Sequence, residues 1–179
     1  MTEEDLKVVR KAKGIDVATA YISKSSKVKF KDDLMFLNVW GFPTDSHAKE
    51  FEKRSNFLEL EKGRNLKSSD KFKVVIGKGI AYDTFEKDLR IGDTLVIEGQ
   101  EFKVVGIQKP STMSNGNVQI PLSVARELYE KPNEISGIFA LTNPSIEPSV
   151  VADRIKKNLR RFLKETIRGG EREGSERVF

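Results

Sequence analysis

A lysine between two glycines is the first feature of this sequence that could do chemistry. Gly77-Lys78-Gly79 follows the apolar run 74–76 and precedes a helical pattern. A dinucleotide-binding loop needs glycine at its first, third and sixth positions, but Tyr82 stands at the sixth position here. The Lys-Ser or Lys-Thr pair that ends a GxxxxGK phosphate loop is missing too. We therefore predict a strand-to-helix turn that binds no nucleotide and no other cofactor.

The only histidine, His47, lies between two carboxylates at Asp45 and Glu50. Metal ligands must converge on one point, whereas positions 45 and 47 of a helix point to different faces. We predict that this segment is a solvated helix start and holds no metal. The same histidine would have to serve every serine, and no GxSxG motif is present, so hydrolytic triad chemistry is disfavoured as well.

The segment 156–172, KKNLRRFLKETIRGGER, is strongly basic. Its side chains could bind phosphates of nucleic acid or of lipid headgroups, or they could form an ordinary solvated face. No aromatic residues alternate with the basic ones, as stacking on single-stranded nucleic acid requires, and Phe162 belongs to an apolar stripe. We favour the solvated face, and proximity to lipid stays open.

The loop 111–117, STMSNGN, is small, polar and glycine-containing. Loops of this kind often carry partner contacts, and Met113 and Asn115 are the residues we expect to make them. A plain disordered tip is the alternative.

Composition limits the classes of protein that need to be considered. The chain has 179 residues, no cysteine, 33% charged residues and a net charge of +5. Disulfide and thiolate chemistry are therefore excluded, and the charge excess is too small to indicate nucleic acid. No apolar run approaches the roughly twenty residues that cross a membrane, and the N-terminus lacks the apolar centre of a signal peptide.

The elements that must position these residues begin with a helix over 3–13, capped by Thr2 and ended by Gly14. Strands over 15–30 and 34–42 are predicted to form an antiparallel pair. A short helix follows from Pro43 through Phe51, and the connection 56–63 leads out of this first part.

The segment from Phe72 to Pro132 is predicted to have shorter elements than the first part of the chain, with short strands and brief helices at 78–88 and 122–130. We predict a hairpin of 94–98 with 102–107, whose buried face carries three alternating apolar residues, Leu95, Ile97 and Val105.

A buried strand over 136–142 and the longest helix complete the chain. Pro144 and Pro148 introduce that helix, and its apolar residues recur at steps of three and four. They are Val151, Ile155, Leu159, Phe162 and Leu163. The segment 169–179, GGEREGSERVF, loses the helical pattern, and we expect its last three residues to begin a strand.

An ordered series of short matches, densest over 58–124, resembles the extracytoplasmic domain of MacB-type and FtsX-like ABC transporter permeases. The matching residues are Glu61-Lys62-Gly63-Arg64, Val74-Val75-Ile76-Gly77, Ala81, Leu89-Arg90-Ile91-Gly92-Asp93, Phe102, Val104-Val105-Gly106-Ile107 and VQIPL at 118–122. In that family the domain is looped out between the first two of four transmembrane helices. The chain lacks the flanking spans and the first strand of the family, so it is expected to be an excised domain.

The resemblance implies an α+β fold of two parts. Residues 1–56 and 135–179 would form a porter-like helix-on-sheet subdomain, and residues 57–134 a small inserted α/β (Sabre-like) subdomain. Hinges are expected near 56–62 and 131–136. No catalytic residue or cofactor carries over, and the matched positions Gly63, Arg64, Gly77, Gly92, Asp93 and Gly106 are expected to supply structural turns.

The function implied is non-enzymatic. The domain would contact cargo or an adaptor protein outside the cell membrane and relay conformational change from ATP hydrolysis on a cytoplasmic ATP-binding subunit. A second permease subunit is a further implied partner. The alternative is a free-standing module that binds nucleic acid or an anionic polymer through the basic helix; on the leading reading, no nucleic-acid partner is expected.

Overall fold

The computed structural model describes residues 1–55, 58–111 and 115–176, with side chains as far as residue 168. Helices and a mixed sheet are combined in this part of the chain, which confirms the predicted α+β class. The helices are α1 (Glu3–Arg10), α2 (Ser46–Ser55), α3 (Lys78–Tyr82), α4 (Leu122–Tyr129) and α5 (Pro148–Glu176). The strands are β1 (Ile15–Phe30), β2 (Asp33–Phe42), β3 (Leu60–Gly63), β4 (Lys73–Gly77), β5 (Thr94–Ile97), β6 (Gln100–Gln108), β7 (Asn117–Pro121) and β8 (Gly137–Thr142).

The long strand β1 organises the sheet. Its first part pairs with β8 as far as Tyr21, and its second part pairs antiparallel with β2, as the sequence predicted. From β2 the pairing continues through β7, β4, β6 and β5 and returns to β1 at Val28, so these strands close into a ring. In a closed ring each strand is paired on both sides, so unpaired backbone groups remain only where a strand extends past its neighbour.

The interior of the ring holds the largest apolar cluster. Alternate residues of each strand point inward, and many of them are fully buried. They include Val28, Val39, Val74, Ile76, Leu95, Ile97, Phe102, Val104, Val118 and Ile120. β1 and β2 therefore share one core with the segment that was predicted to be an inserted subdomain. The division at residues 56 and 57 stays a prediction, and the strand pairing does not follow it.

The β1–β8 pair carries a separate cluster on each face. On one face, Leu6 and Val9 of α1 pack with Ala18 and Ala20 of β1, together with the partly buried α5 residues Ile155 and Leu159. The other face holds Val17 with Phe42, Ala48, Phe51 and Leu58. Because neighbouring residues of a strand point to opposite faces, β1 joins these two layers to the ring.

Four helices differ from their predicted bounds: α1 ends at Arg10 instead of residue 13, α2 covers Ser46–Ser55 instead of 43–51, and α3 and α5 differ most. α3 stops at Tyr82 instead of 88, because the Thr84 hydroxyl donates to the Gly79 carbonyl, and the Glu86 amide donates to the Asp33 carboxylate, 2.9 Å away. α5 continues to Glu176, past the predicted loss of helical pattern, although Gly169, Gly170 and Gly174 are poor helix formers; the segment contains no proline. The strand expected at 177–179 lies outside the described residues.

The predicted hairpin is confirmed, but one of its faces was assigned wrongly. β5 pairs with β6 through a two-residue turn at Glu98 and Gly99, both with positive φ. Leu95 and Ile97 are buried, whereas Val105 is only half-buried. Leu95 pairs directly with Phe102, so the even-numbered residues of β6 share the face of Leu95 and Ile97, and Phe102 and Val104 lie on the buried face instead.

Candidate functional site

The first three residues are hydrogen-bonded to the connection between α4 and β8. The Glu3 amide donates to the Asn133 carbonyl over 3.3 Å, and the Ile135 amide donates to the Met1 carbonyl over 3.0 Å. Thr2 and Glu134 face each other between these bonds as an antiparallel bridge. We call residues 1–3 and 133–135 the N-terminal junction. It covers half of the segment 131–136 that was predicted to be a hinge.

The junction continues into β1 through Ser136. Its amide donates to the Tyr21 carbonyl over 2.8 Å, and its hydroxyl accepts the Ser23 amide at the same distance. On the other side of the junction, Lys131 forms an ion pair with Glu134, and this bond lowers the pKa of the Glu134 carboxyl. The connection is therefore fixed at both ends by polar contacts.

An ion pair crosses from α1 to α4. The Arg126 guanidinium donates to the Glu3 carboxylate, and both side chains are partly exposed, at 25% and 34%. Exposed ion pairs contribute only about 0–1 kcal/mol. The contact between α1 and α5 is of another kind, because Leu6 and Val9 there are buried with Ile155 and Leu159. α1 is therefore held firmly to α5 and loosely to α4.

Among the α5 side chains that the structure describes, as far as residue 168, those that anchor the helix lie in its first half. Val151 is fully buried beside Gly14, whereas Leu163 is 52% exposed. The apolar stripe was predicted to pack as far as Leu163, but only Ile155 and Leu159 lie against the cluster that contains α1. The basic residues of the helix, Lys156, Lys157, Arg160, Arg161 and Lys164, are exposed.

The amide that a phosphate would need at Gly77-Lys78-Gly79 already has an acceptor. The Gly79 amide donates to the Asn115 side-chain oxygen over 2.9 Å. Lys78 forms an ion pair with Glu61, 2.9 Å away. The loop 111–117 is thus tied to the start of α3 through Asn115. Its predicted contact residue Met113 lies outside the described residues.

Three of the predicted turn residues lie at positions of special backbone conformation or capping. Gly63 and Gly92 have positive φ values of 78° and 96°, which favour glycine. A β-carbon at Gly63 would also lie 2.2 Å from the Val105 carbonyl oxygen. The Asp93 carboxylate accepts the Arg90 amide over 2.8 Å, so it stabilises the turn before β5.

The other three predicted turn residues lie in regular elements or contacts. Gly77 ends β4 with extended φ and ψ values of −71° and 157°. Gly106 lies within β6, where a β-carbon would meet the Arg64 carbonyl oxygen at 2.4 Å. Arg64 itself forms a two-pronged ion pair with Asp70, with N–O distances of 2.6 and 3.0 Å.

Asp45, His47 and Glu50, which were considered as metal ligands, lie at the start of α2. The Asp45 carboxylate accepts the Ala48 amide over 2.8 Å, so Asp45 caps the helix. His47 and Glu50 are exposed. Among the residues that the structure describes, no group of three or more His, Cys, Asp or Glu side chains is placed to hold a metal ion.

Sequence reasoning missed a carboxyl group with a shifted pKa on the same helix. Burial raises the pKa of Glu52 to about 7, against a weaker opposite effect of Lys49. Asn65 donates to this carboxyl over 3.4 Å. The helical periodicity of α2 places residue 52 beside the buried Phe51, which is the one signal that could have pointed to it.

None of the helices, over the residues described, is long and apolar enough to cross a membrane. The family model for the MacB-like periplasmic core domain matches residues 1–158. An uncharacterized ABC transporter permease of Methanocaldococcus jannaschii is 24% identical over 162 residues, which make up 89% of this chain and 40% of the relative. The chain therefore spans less than half the length of that curated relative.

Solved structures show the same fold. The periplasmic region of MacB from Actinobacillus actinomycetemcomitans superposes with a TM-score of 0.72 at 18% identity, covering 90% of this chain and 74% of that one. The extracellular domain of the transporter YknZ from Gram-positive bacteria gives a TM-score of 0.65 at 21% identity, with coverages of 88% and 78%. The family match decides the assignment: the chain belongs to the MacB-like periplasmic core domains and is an extracytoplasmic domain of an ABC transporter permease.

Proposed function

We propose that this domain is a non-catalytic relay. It changes its internal arrangement as a separate cytoplasmic subunit binds and hydrolyses ATP, and it contacts cargo or an adaptor protein outside the membrane. The observation that supports the proposal is the contrast between the contacts of α1. This helix shares a buried apolar cluster with α5, but it meets α4 through the partly exposed Glu3–Arg126 ion pair.

A buried apolar contact with α5 and a polar contact with α4 favour a motion in which α1 and α4 belong to different rigid bodies. α1, α5 and β8 move together because separating them would expose apolar side chains to water. The ring and α4 form the second body, which shares its own core. The two bodies also meet where Phe139 of β8 stacks on Trp40 and contacts Phe42 of β2, so this apolar contact has to shift when the bodies move. Relative motion of two rigid bodies is taken up by backbone rotation at a few connecting residues.

The joint in β1 falls at Ser23–Ser25 on this proposal. This segment lies after the last pairing with β8, at Tyr21, and before the first pairing with β5, at Val28. Its side chains are half-buried or exposed, but its backbone pairs with residues 38–40 of β2, so β2 has to bend with it. The connection 131–136 is the second joint, where motion requires its hydrogen bonds to residues 1–3 or to β1 to break. The two-part division of the chain is proposed with these two joints.

The partners proposed are the ATP-binding subunit, reached through the permease, and a second permease subunit. Cargo or adaptor contacts are assigned to the ring, with the loop 111–117 as one candidate surface. The alternative, a free-standing module for nucleic acid or an anionic polymer, is not favoured by the family match. The exposed basic face of α5 is the feature that it would have used.

A cross-link between the two bodies tests the relay. The chain has no cysteine, so Glu3→Cys with Arg126→Cys supplies the domain's only thiols. A short bifunctional reagent that forms cleavable disulfides is used to join them, because the native ion pair spans two long side chains. In the full-length permease we expect the cross-link to abolish ATP-dependent transport and a reductant to restore it.

A second pair controls for the reagent. Lys29 and Leu34 are cross-strand partners within the β1–β2 hairpin, so joining them restricts no motion between bodies. Transport is expected to survive that cross-link. If the Glu3–Arg126 cross-link forms fully and transport continues unchanged, the domain is a rigid docking platform and the relay is wrong.

A further inference from the structure

A cleft of about 300 Å³ separates α1 from α4. Its walls carry Glu3, Leu6 and Arg10 from α1, and Leu122, Ser123 and Arg126 from α4, with Ala20 of β1 and the turn 43–45 completing it. Small-molecule sites begin at about this volume and combine apolar surface with a few convergent polar groups.

The Arg126 guanidinium has a donor that lacks an acceptor. One terminal nitrogen donates to Glu3, but Nε is buried and has no hydrogen-bond partner among the described residues. Buried N–H groups in native proteins are nearly always paired with protein, water or ligand. The cleft is lined by this side chain, so an acceptor that enters it can reach the guanidinium, and it satisfies Nε if the side chain turns toward the cleft.

A second guanidinium lines the same cleft from α1. The Arg10 Nε donates to the Ala18 carbonyl over 2.9 Å, which orients the planar group. No carboxylate pairs with Arg10 within the part of the chain that the structure describes, so its terminal N–H groups remain available. The hydroxyls of Thr44 and Ser123, which also line the cleft, have no partner there either.

The acidic groups of the cleft do not oppose an anion as two free charges would. Glu3 is neutralised by Arg126, and one Asp45 oxygen accepts the Ala48 amide at the start of α2. The remaining lining is apolar, from Leu6, Leu122 and their neighbours. The groups that can donate to a ligand are therefore the terminal N–H groups of Arg10 and the hydroxyls of Thr44 and Ser123, beside an apolar surface, and the second Asp45 oxygen is the one charged acceptor that remains.

We propose that this cleft binds a small oxyanion that carries an apolar group. Arg10 and Arg126 hold the oxyanion from opposite walls, because planar guanidinium groups suit carboxylate and phosphate oxygens. The apolar group lies on Leu6 and Leu122. The ligand bridges α1 and α4, and the site does not depend on whether these helices move during transport.

Titration of the 179-residue chain with hexanoate and with hexyl phosphate tests the site and distinguishes a carboxylate from a phosphate. Chemical shifts of backbone amides report binding. We expect saturable shifts confined to α1, α4 and the turn 43–45 with at least one of the two probes, at a dissociation constant of the order of millimolar. Hexylamine and acetate, which lack the anion or the chain, should give no saturable shift. If neither hexyl anion shifts the cleft amides, or if hexylamine shifts them equally, the proposal is wrong.

Two matched variants assign the anion contact. Arg10→Gln removes one guanidinium and is expected to weaken binding about tenfold, the effect of one charge-assisted hydrogen bond. Arg160→Gln removes the same charge from the exposed face of α5 and should leave the dissociation constant unchanged. Equal weakening by both variants would mean that the probes respond to net charge and not to this cleft. The wild-type titration decides the proposal even if Arg10→Gln does not fold.

Discussion

The hydroxyl groups of Ser26 and Tyr129 lie 2.7 Å apart in the core, where they join β1 to α4. Ser26 is fully buried and Tyr129 is 6% exposed. Burial is the main cause that raises the pKa of the Tyr129 hydroxyl. The pair fixes α4 to the ring at a point that no local sequence pattern indicates.

Tyr129→Phe should destabilise the domain by about 1–2 kcal/mol, because it leaves the buried Ser26 hydroxyl with only its weak contact to the Lys24 carbonyl, 3.4 Å away. Chemical denaturation measures the change. Tyr82→Phe is the matched control, since the Tyr82 hydroxyl meets Lys62 at an exposed position. Equal stability losses in the two variants would show that the buried pair contributes nothing specific.

Gly41 allows α4 to approach β2 closely. A β-carbon at this position would lie 2.3 Å from the Ala125 β-carbon. We expect Gly41→Ala to cost about 1–3 kcal/mol through overpacking. Adding Ala125→Gly removes the clashing atom and should recover part of the loss, whereas Gly116→Ala, with no atom within 4 Å of its β-carbon, should be neutral. An additive double variant would contradict the contact.

The ion pair of Arg64 and Asp70 stabilises the segment that leads from β3 to β4. Asp70 is nearly buried, with 8% of its side chain exposed. Removing Arg64 leaves that carboxylate without its main partner, so Arg64→Ala should cost about 1–3 kcal/mol near neutral pH. Lys62→Ala is the control, because its side chain lies on the exposed surface.

The pH dependence of this pair has a definite sign. The hydrogen bond from Arg64 lowers the pKa of Asp70 below its usual value. A lowered folded pKa means that the stabilisation is complete above the unfolded pKa, near 3.8, and is lost as the pH falls through the folded pKa. The difference between wild type and Arg64→Ala should therefore shrink in acid. A difference that stays constant to strongly acidic pH would exclude the ion pair as its cause.

The local parts of the fold were predictable and the non-local parts were not. Glu98-Gly99 specifies a hairpin turn by its own chemistry, and the β1–β2 pair follows from two adjacent β-rich runs. The parallel pairing of β2 with β7, which closes the ring, joins residues almost eighty positions apart. Nothing in a short window encodes such a contact.

The same distinction explains the errors and omissions. The helix after Gly77 was predicted too long because Asp33, from a distant strand, accepts the Glu86 amide. Glycine spacing argued against a nucleotide loop, and that stays a prediction; it gave no indication that the Asn115 side chain would accept the Gly79 amide. Arg10 and Arg126 fall within ordinary amphipathic helices, so only the packing of α1 beside α4 brings them to one cleft.

Glu52 should make the domain less stable as the pH rises through the neutral range. Its folded pKa is raised by burial to about 7 from a usual 4.5. Between these values the unfolded chain releases the proton while the folded chain keeps it, so stability falls from about pH 4.5 to pH 7 and then levels off. Glu52→Gln removes the ionisation and should stabilise the domain above neutral pH by about 1–3 kcal/mol, with little effect at pH values below the unfolded pKa. Unfolding curves across this range measure the difference, and Glu50→Gln, on the exposed side of α2, controls for net charge. A gain that is the same in acid and in alkali, or that Glu50→Gln reproduces, would contradict a buried Glu52 carboxyl.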